Sequence, residues 1–273
     1  MSRYKLRANY DIENIDSQKM DGTVIVDVPM LSNGELNYGL SHIKKKLYEE
    51  NVYPSEIGFD IMSLATMVYM ADTRIERVVH GQDSWTREIE LEIPVSNVEI
   101  WDSQIRTVER MLKFLTGDLW KITLSSRAWQ FNNLEEVREK SNKYDEVSLF
   151  SGGMDSLIST INLMENKKNT LLISHAGEGL TKNAQKNIVN KFDLLYPDVL
   201  HTWLDLWMVF PRDYIPAGGN DNNTRSRSFL FIGYALFAMT GMDNINELLV
   251  PENGLIALNV PLDETRVGSF STR

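Results

Sequence analysis

Cysteine is absent from all 273 residues. Disulfides, thiolate metal sites and cysteine nucleophiles are therefore excluded from this chain. Basic charge is in short supply: 28 Lys and Arg face 38 Asp and Glu, for a net charge of −10. A duplex or tRNA binder usually carries a basic stripe. The clusters here, Lys44-Lys45-Lys46 and Lys167-Lys168, are short and read as solvated helix faces or ends. Nucleic acid is disfavoured as the main substrate. No apolar run approaches the ~20 residues that a membrane helix needs. The opening MSRYKLRANYDIEN contains no apolar secretory core, so a cytoplasmic location is expected. Histidine is scarce, with four in total; His42 and His80 stand alone and read as surface residues rather than metal ligands.

What is present suits an ordinary folded chain, 42% hydrophobic and 24% charged. The length suggests two domains. In the first half, Thr23 to Val26 reads as a strand ended by Pro29. Leu40, Ile43 and Leu47 follow helical spacing. A second helix begins at Pro54-Ser55-Glu56, with Ser55 as N-cap and a stripe of Ile57, Ile61, Leu64, Ala65 and Val68. From Trp85 to Val95 the pattern alternates, with Ile89, Leu91 and Ile93 on one face and Glu88, Glu90 and Glu92 on the other. A helix with Ile105, Val108, Leu112 and Leu115 follows Ser103 and stops at Thr116-Gly117-Asp118. Trp120, Ile122 and Leu124 then alternate. This pattern predicts an α+β domain over 1–140, with no catalytic constellation in it. The polar, charge-rich stretch Asn132 to Asp145 is the best boundary.

From Glu146 the rhythm changes to alternating strand and helix. Thr170 to Ser174 is a continuous apolar run, the mark of a parallel strand buried on both faces. Helices are expected over 182–195 and 226–239, and further strands over 200–206 and 248–250. The prediction for 141–273 is an α/β fold with a doubly wound parallel sheet. Its ligand edge would comprise loops 151–156, 174–179, 207–227 and 251–269.

The stretch EVSLFSGGMDSLISTINL, Glu146 to Leu163, is the chemical centre of this half. It reads as strand, glycine turn and helix. Gly152 and Gly153 let backbone N–H groups converge on a phosphate, and the helix N-terminus adds positive potential. No lysine follows the turn, so it is not a Walker loop. Ser151 and Ser156 can add hydroxyl donors. A carboxylate at Asp155 tolerates triphosphate only through a bridging cation, which implies Mg²⁺. The alternative is a plain capped helix after an ordinary turn. Arg225 and Arg227, just before the apolar helix, suit phosphate as well, or are surface arginines.

SGGMDS resembles the SGGxDS signature of the PP-loop N-type ATP pyrophosphatases, whose fold is that of the adenine nucleotide α-hydrolases. The segment Thr224-Arg225-Ser226-Arg227-Ser228-Phe229-Leu230 resembles its counterpart in the QueC (7-cyano-7-deazaguanine synthase) family of queuosine biosynthesis. Pro54–Asp60, Asp72–Ile75 and Trp85–Leu91 resemble phrases of the QatC-type, QueC-like proteins of bacterial anti-phage systems. The resemblance implies an ATP- and Mg²⁺-dependent ligase. It would adenylate a carboxylate such as 7-carboxy-7-deazaguanine, release pyrophosphate and pass the acyl group to an amine. Ser151, Gly152, Gly153, Met154, Asp155 and Ser156 would hold nucleotide, with Asp155 on Mg²⁺, and Arg225 or Arg227 would neutralise phosphate. Ser174 and His175 would lie near adenine, and Glu252, Asn253, Asp263 and Arg266 on the acceptor side. Without cysteine, neither the family's zinc cluster nor a persulfide-carrying tRNA thiolase can be formed. An N-terminal cysteine glutaminase is ruled out too, because residue 2 is Ser2. The lack of the zinc segment suggests that the chain ends early, at Arg273. Two other readings stay open: a PP-loop domain that binds ATP and a partner protein without catalysis, and a tRNA-modifying enzyme.

Overall fold

The structure, a computed structural model, describes residues 3–134, 143–175, 179–208, 210–223 and 225–252. The acceptor-side candidates Asn253, Asp263 and Arg266 lie outside the described residues. The chain divides into two compact units that are not contiguous in sequence: 1–41, 55–136 and 209–230 form one, and 42–54, 137–208 and 231–273 the other. Among the described residues, no helix is long and apolar enough to cross a membrane.

The elements of the first half run β1 (Arg3–Asn9), β2 (Asp16–Met20), β3 (Thr23–Pro29), β4 (Leu31–Ser32), β5 (Glu35–Leu36), α1 (Leu40–Glu49), α2 (Glu56–Arg74), α3 (Arg77–His80), β6 (Glu88–Val95), α4 (Val98–Asp102), α5 (Ile105–Thr116) and β7 (Leu119–Ser126). Five of the strands form one sheet in the first unit, ordered β2-β3-β1-β6-β7. β1 pairs in parallel with both β3 and β6, and β6 with β7; only β2 runs antiparallel. The α+β expectation is corrected accordingly: this half is α/β with a mixed sheet. Hydrophobic alternation reports which face is buried and not which way the neighbouring strand runs.

β1 was not anticipated, yet it is the middle strand. Tyr4, Leu6 and Ala8 point into the core, while Lys5 pairs across the outer face with Glu90 at 3.3 Å and Glu92 at 3.0 Å. β2 and β3 are joined by Asp21-Gly22, both at positive φ, the two-residue turn whose twist suits a hairpin. Ser55 caps α2 as expected, accepting from the Gly58 amide at 3.2 Å. His80 is buried rather than a surface residue; its ring lies edge-on to Tyr4 with centroids 5.0 Å apart.

A buried ionic network ties this unit together. Asp118 accepts from the amide and guanidinium of Arg87 and from both terminal nitrogens of Arg77. Arg87 reaches on to the Asp72 carboxylate at 2.5 Å. Burial works against the Asp118 carboxylate, and the hydrogen bonds and charge of Arg87, with help from Arg77, outweigh it, so its carboxyl sits below the ordinary range. Asp60 plays a parallel part, accepting from the Ser96 amide, the Trp101 indole and Arg127.

The second half contains β8 (Glu146–Leu149), α6 (Met154–Glu165), β9 (Thr170–His175), α7 (Gly179–Leu195), β10 (His201–Leu206), α8 (Arg227–Met239) and β11 (Leu248–Leu249). The strands form a fully parallel sheet in the second unit, ordered β10-β9-β8-β11. Every residue of β9 is buried, as the apolar run required. Phe150, Leu172 and Phe192 make a core against one face, with Leu157 and Ile161 from α6 and Ile188 from α7 packed on it. Each such large apolar side chain contributes roughly 1.5–3 kcal/mol on burial. No residue of α8 is exposed, in keeping with its apolar sequence.

The strand order places the turn of interest. From β8 the chain steps outward through β9 to β10, then returns past β8 to lay β11 on its other side. Strand order therefore reverses between β8 and β11, and ligands of open parallel sheets occupy the crevice beyond the carboxyl ends of the strands at such a reversal.

Candidate functional site

β8 carries the chain to Phe150, whose amide still bonds to the Ile173 carbonyl at 2.7 Å. The turn Ser151-Gly152-Gly153 follows, and α6 starts at Met154. Gly152 has φ +81°, the left-handed region in which a side chain is strained. A Cβ there would also come 2.8 Å from Cγ of Gln185. This position therefore requires glycine on two independent grounds.

The serines close the turn on itself. Ser156 Oγ accepts from the Gly152 amide at 3.1 Å and donates to the Gly153 carbonyl at 2.9 Å. Ser151 Oγ lies 3.2 Å from Ser156 Oγ and accepts from the Gly153 amide at 3.3 Å. Ser156 is buried, Ser151 and Gly153 are exposed, and Met154 is exposed despite being apolar. The amides of Met154, Asp155 and Ser156 belong to the first turn of α6 and have no carbonyl within the helix to bond. Two more amides become available if the serine hydroxyls turn aside. That set of donors fits a phosphate group.

Asp155 stands in the first turn of α6, and Glu252 follows β11 across the reversal. Burial raises the Glu252 carboxyl above its ordinary range, and the charge of Asp155 raises it further. The Asp155 charge therefore reaches Glu252 from across the reversal. Among the described residues, no group of three or more His, Asp and Glu is arranged to hold a metal ion. Mg²⁺ bound alongside phosphates needs only one or two protein carboxylates. Asp155, in the first turn of α6, is the candidate for such a carboxylate.

Ser174 and His175, expected near adenine, end β9 and are buried. The Ser174 hydroxyl donates to the Phe150 carbonyl at 2.6 Å and accepts from the Trp203 indole at 2.8 Å. It thereby pins the end of β8 to β9. The His175 ring packs near Tyr234 of α8, with centroids 5.8 Å apart.

Arg225 and Arg227 fall in the first unit, whereas the glycine turn falls in the second. Arg225 donates to the Thr116 carbonyl at 2.7 Å, and its guanidinium lies over the Trp85 ring, 4.6 Å from the centroid. Burial and then the charge of Arg77 lower its pKa. Arg227 opens α8 and lies close enough to Tyr69 for its charge to oppose the rise that burial imposes on that phenol.

Two features of the second unit escaped the sequence. Gln185 of α7 lies directly beneath the turn, donating to the Ser151 carbonyl at 3.0 Å. Its helical register was open to inspection, but a glutamine amid the polar run Lys182 to Asn187 carries no sign of its target. Lys46, read as part of a solvated face, pairs instead with Asp205 near the end of β10, and Lys182 of α7 takes the other carboxylate oxygen at 2.5 Å.

No protein-family model, curated protein or solved structure matches the chain.

Proposed function

We propose that this chain binds Mg-ATP at Ser151–Ser156 and is an ATP-dependent ligase of QueC type, consistent with its SGGMDS turn. One observation carries the reading. The only SGGxDS sequence in the chain emerges from the strand at which sheet order reverses, followed by the first-turn amides of α6 with Asp155 in that same turn. The reading rests on residues of the second unit alone.

In this reading the phosphates meet the amides of Gly152 and Gly153 once Ser151 and Ser156 swing away, and the two hydroxyls then donate to phosphate oxygens. Asp155 would hold Mg²⁺, and the ion would supply charge neutralisation to the leaving pyrophosphate. A substrate carboxylate oxygen attacks the α-phosphorus as the bond to the β-phosphate bridge breaks, giving an acyl-adenylate and pyrophosphate. An amine then attacks the acyl carbon and AMP departs. Orientation and charge complementarity supply most of the acceleration. The carboxylate is 7-carboxy-7-deazaguanine or a relative, and the setting is bacterial anti-phage defence alongside partner proteins.

The decisive assay is pyrophosphate release from Mg-ATP with the deazapurine acid and ammonia, against an Asp155→Ala control. Release that depends on both the acid and Asp155 is expected. Equal release from both proteins removes the ligase reading.

A second reading is favoured by the closed state of the turn, where serine hydroxyls already occupy the Gly152 and Gly153 amides. It is a domain that binds ATP and a partner protein without turnover. Tight binding of a non-hydrolysable ATP analogue with no pyrophosphate release under any acid tested would select it.

A further inference from the structure

Gln185 is fully buried, and nothing in the proposed reaction uses it. Its Nε2 donates to the carbonyls of Ser151 at 3.0 Å and Phe150 at 3.4 Å. Both partners are acceptors, so the amide can face them only with its nitrogen. The other end, Oε1, has no hydrogen-bond partner among the described residues. A buried acceptor without a donor is a cost that an apolar side chain of the same length would avoid. The fold bears that cost in order to place a donor at these two carbonyls.

The consequence follows from peptide geometry. In a trans peptide the carbonyl and the next amide point in opposite directions within one plane. Holding the Ser151 carbonyl against Gln185 sends the Gly152 N–H away from α7, toward the start of α6, where it meets Ser156. Holding the Phe150 carbonyl, with Ser174 as second donor, orients the Ser151 amide in the same manner. The close approach of the Gln185 chain to Gly152 sets the depth of the bend.

We propose that Gln185 is a positioning residue of the nucleotide turn: it draws the Phe150 and Ser151 carbonyls inward so that the Gly152 amide, which follows the Ser151 carbonyl, faces the phosphates. This inference rests on the nucleotide reading of the turn. Gln185 touches no reacting atom; it acts through the backbone.

The test compares wild type, Gln185→Met and Gln185→Glu for binding of a non-hydrolysable ATP analogue with Mg²⁺, between pH 5 and 8, with the thermal midpoint of each protein followed in parallel. Met keeps the length and loses the donor; its affinity should fall by about tenfold or more, the worth of one well-placed hydrogen bond. Glu is the sharper probe. Ionised, it sets a carboxylate against two carbonyl oxygens; protonated, it donates one hydrogen bond. Its affinity relative to wild type should therefore recover as pH falls, whereas a variant that had merely lost packing would show no such recovery at constant thermal midpoint. Should Met fail to fold, the pH ratio within the Glu variant still decides. If wild type binds and both variants bind equally well at every pH, the positioning role is overturned while the nucleotide reading survives. If wild type itself does not bind, the nucleotide reading falls, and this inference with it.

Discussion

The hydroxyl of Ser156 accepts from the amide of Gly152 at 3.1 Å, so the residue expected to donate to phosphate engages one of the amides proposed to meet it. The turn is held shut by its own side chains. Ser156→Ala removes this acceptor and the donor to the Gly153 carbonyl, and should cost about 1–2 kcal/mol in a denaturant titration. Gly152→Ala should be worse, because it adds strain at positive φ to a 2.8 Å clash with Gln185. We expect it to abolish binding of the ATP analogue by calorimetry.

Asp155 and Glu252 offer a titration that needs no turnover. With the Asp155 charge removed in Asp155→Asn, the Glu252 carboxyl should move down toward its ordinary value and stop short of it, because burial still acts. Mg²⁺ should push it down further in wild type and have little effect in the variant. Carboxyl NMR shifts across pH 3 to 8 measure both. An upward or absent shift in Asp155→Asn would show that the two groups are not coupled.

Arg87 and Asp118 give the first unit its clearest energetic test. Both are buried, and they share two side-chain hydrogen bonds besides the one from the Arg87 amide. Deleting Asp118 removes the carboxylate that Arg87 and Arg77 share and leaves two buried guanidinium groups to Asp72 and Asp221. Asp118→Ala should destabilise by about 3–5 kcal/mol, read from the shift in urea midpoint. A loss under 1 kcal/mol would mean that water reaches the network.

Glu50 predicts acid sensitivity in the second unit. Burial pushes its carboxyl up, but hydrogen bonds from Lys143, Tyr144 and Thr202 together with the Lys143 charge prevail, and the net shift is downward. A depressed carboxyl stabilises the fold above its unfolded value and loses that contribution as pH falls through the folded value. Wild type should therefore be more stable than Glu50→Gln at pH 7, and the gap should narrow as pH falls below the ordinary glutamate range and through the lower folded value. Tyr144, whose hydroxyl reaches Glu50 at 2.5 Å and Thr202 at 2.7 Å, should make Tyr144→Phe costly by about 1–2 kcal/mol at neutral pH.

Much of the second unit was legible in the residues, since a parallel strand buried on both faces is largely apolar. Leu171, Leu172 and Ile173 supply that run in β9, every residue of which is buried, and the helices of this half begin and end near the expected positions. The first unit was less so. β1 alternates Tyr4, Leu6 and Ala8 with charged residues, and Asp21-Gly22 is a strong hairpin signal, yet neither strand had been anticipated. In that unit strand direction was not readable, because an alternating, half-buried strand has the same side-chain period beside parallel and antiparallel neighbours.

The residues by themselves determined the chemistry on offer: no thiol, a glycine turn with two serines and an aspartate, and a strand and helix to carry it. Local conformation follows from local sequence, which is why that turn could be named without coordinates. Tertiary structure alone decided that β11 lands beside β8, that Glu252 therefore feels Asp155, and that Gln185 comes to rest under Ser151. Those pairings join positions 34 to 101 residues apart in sequence, and only the packing of whole elements brings such distant groups together.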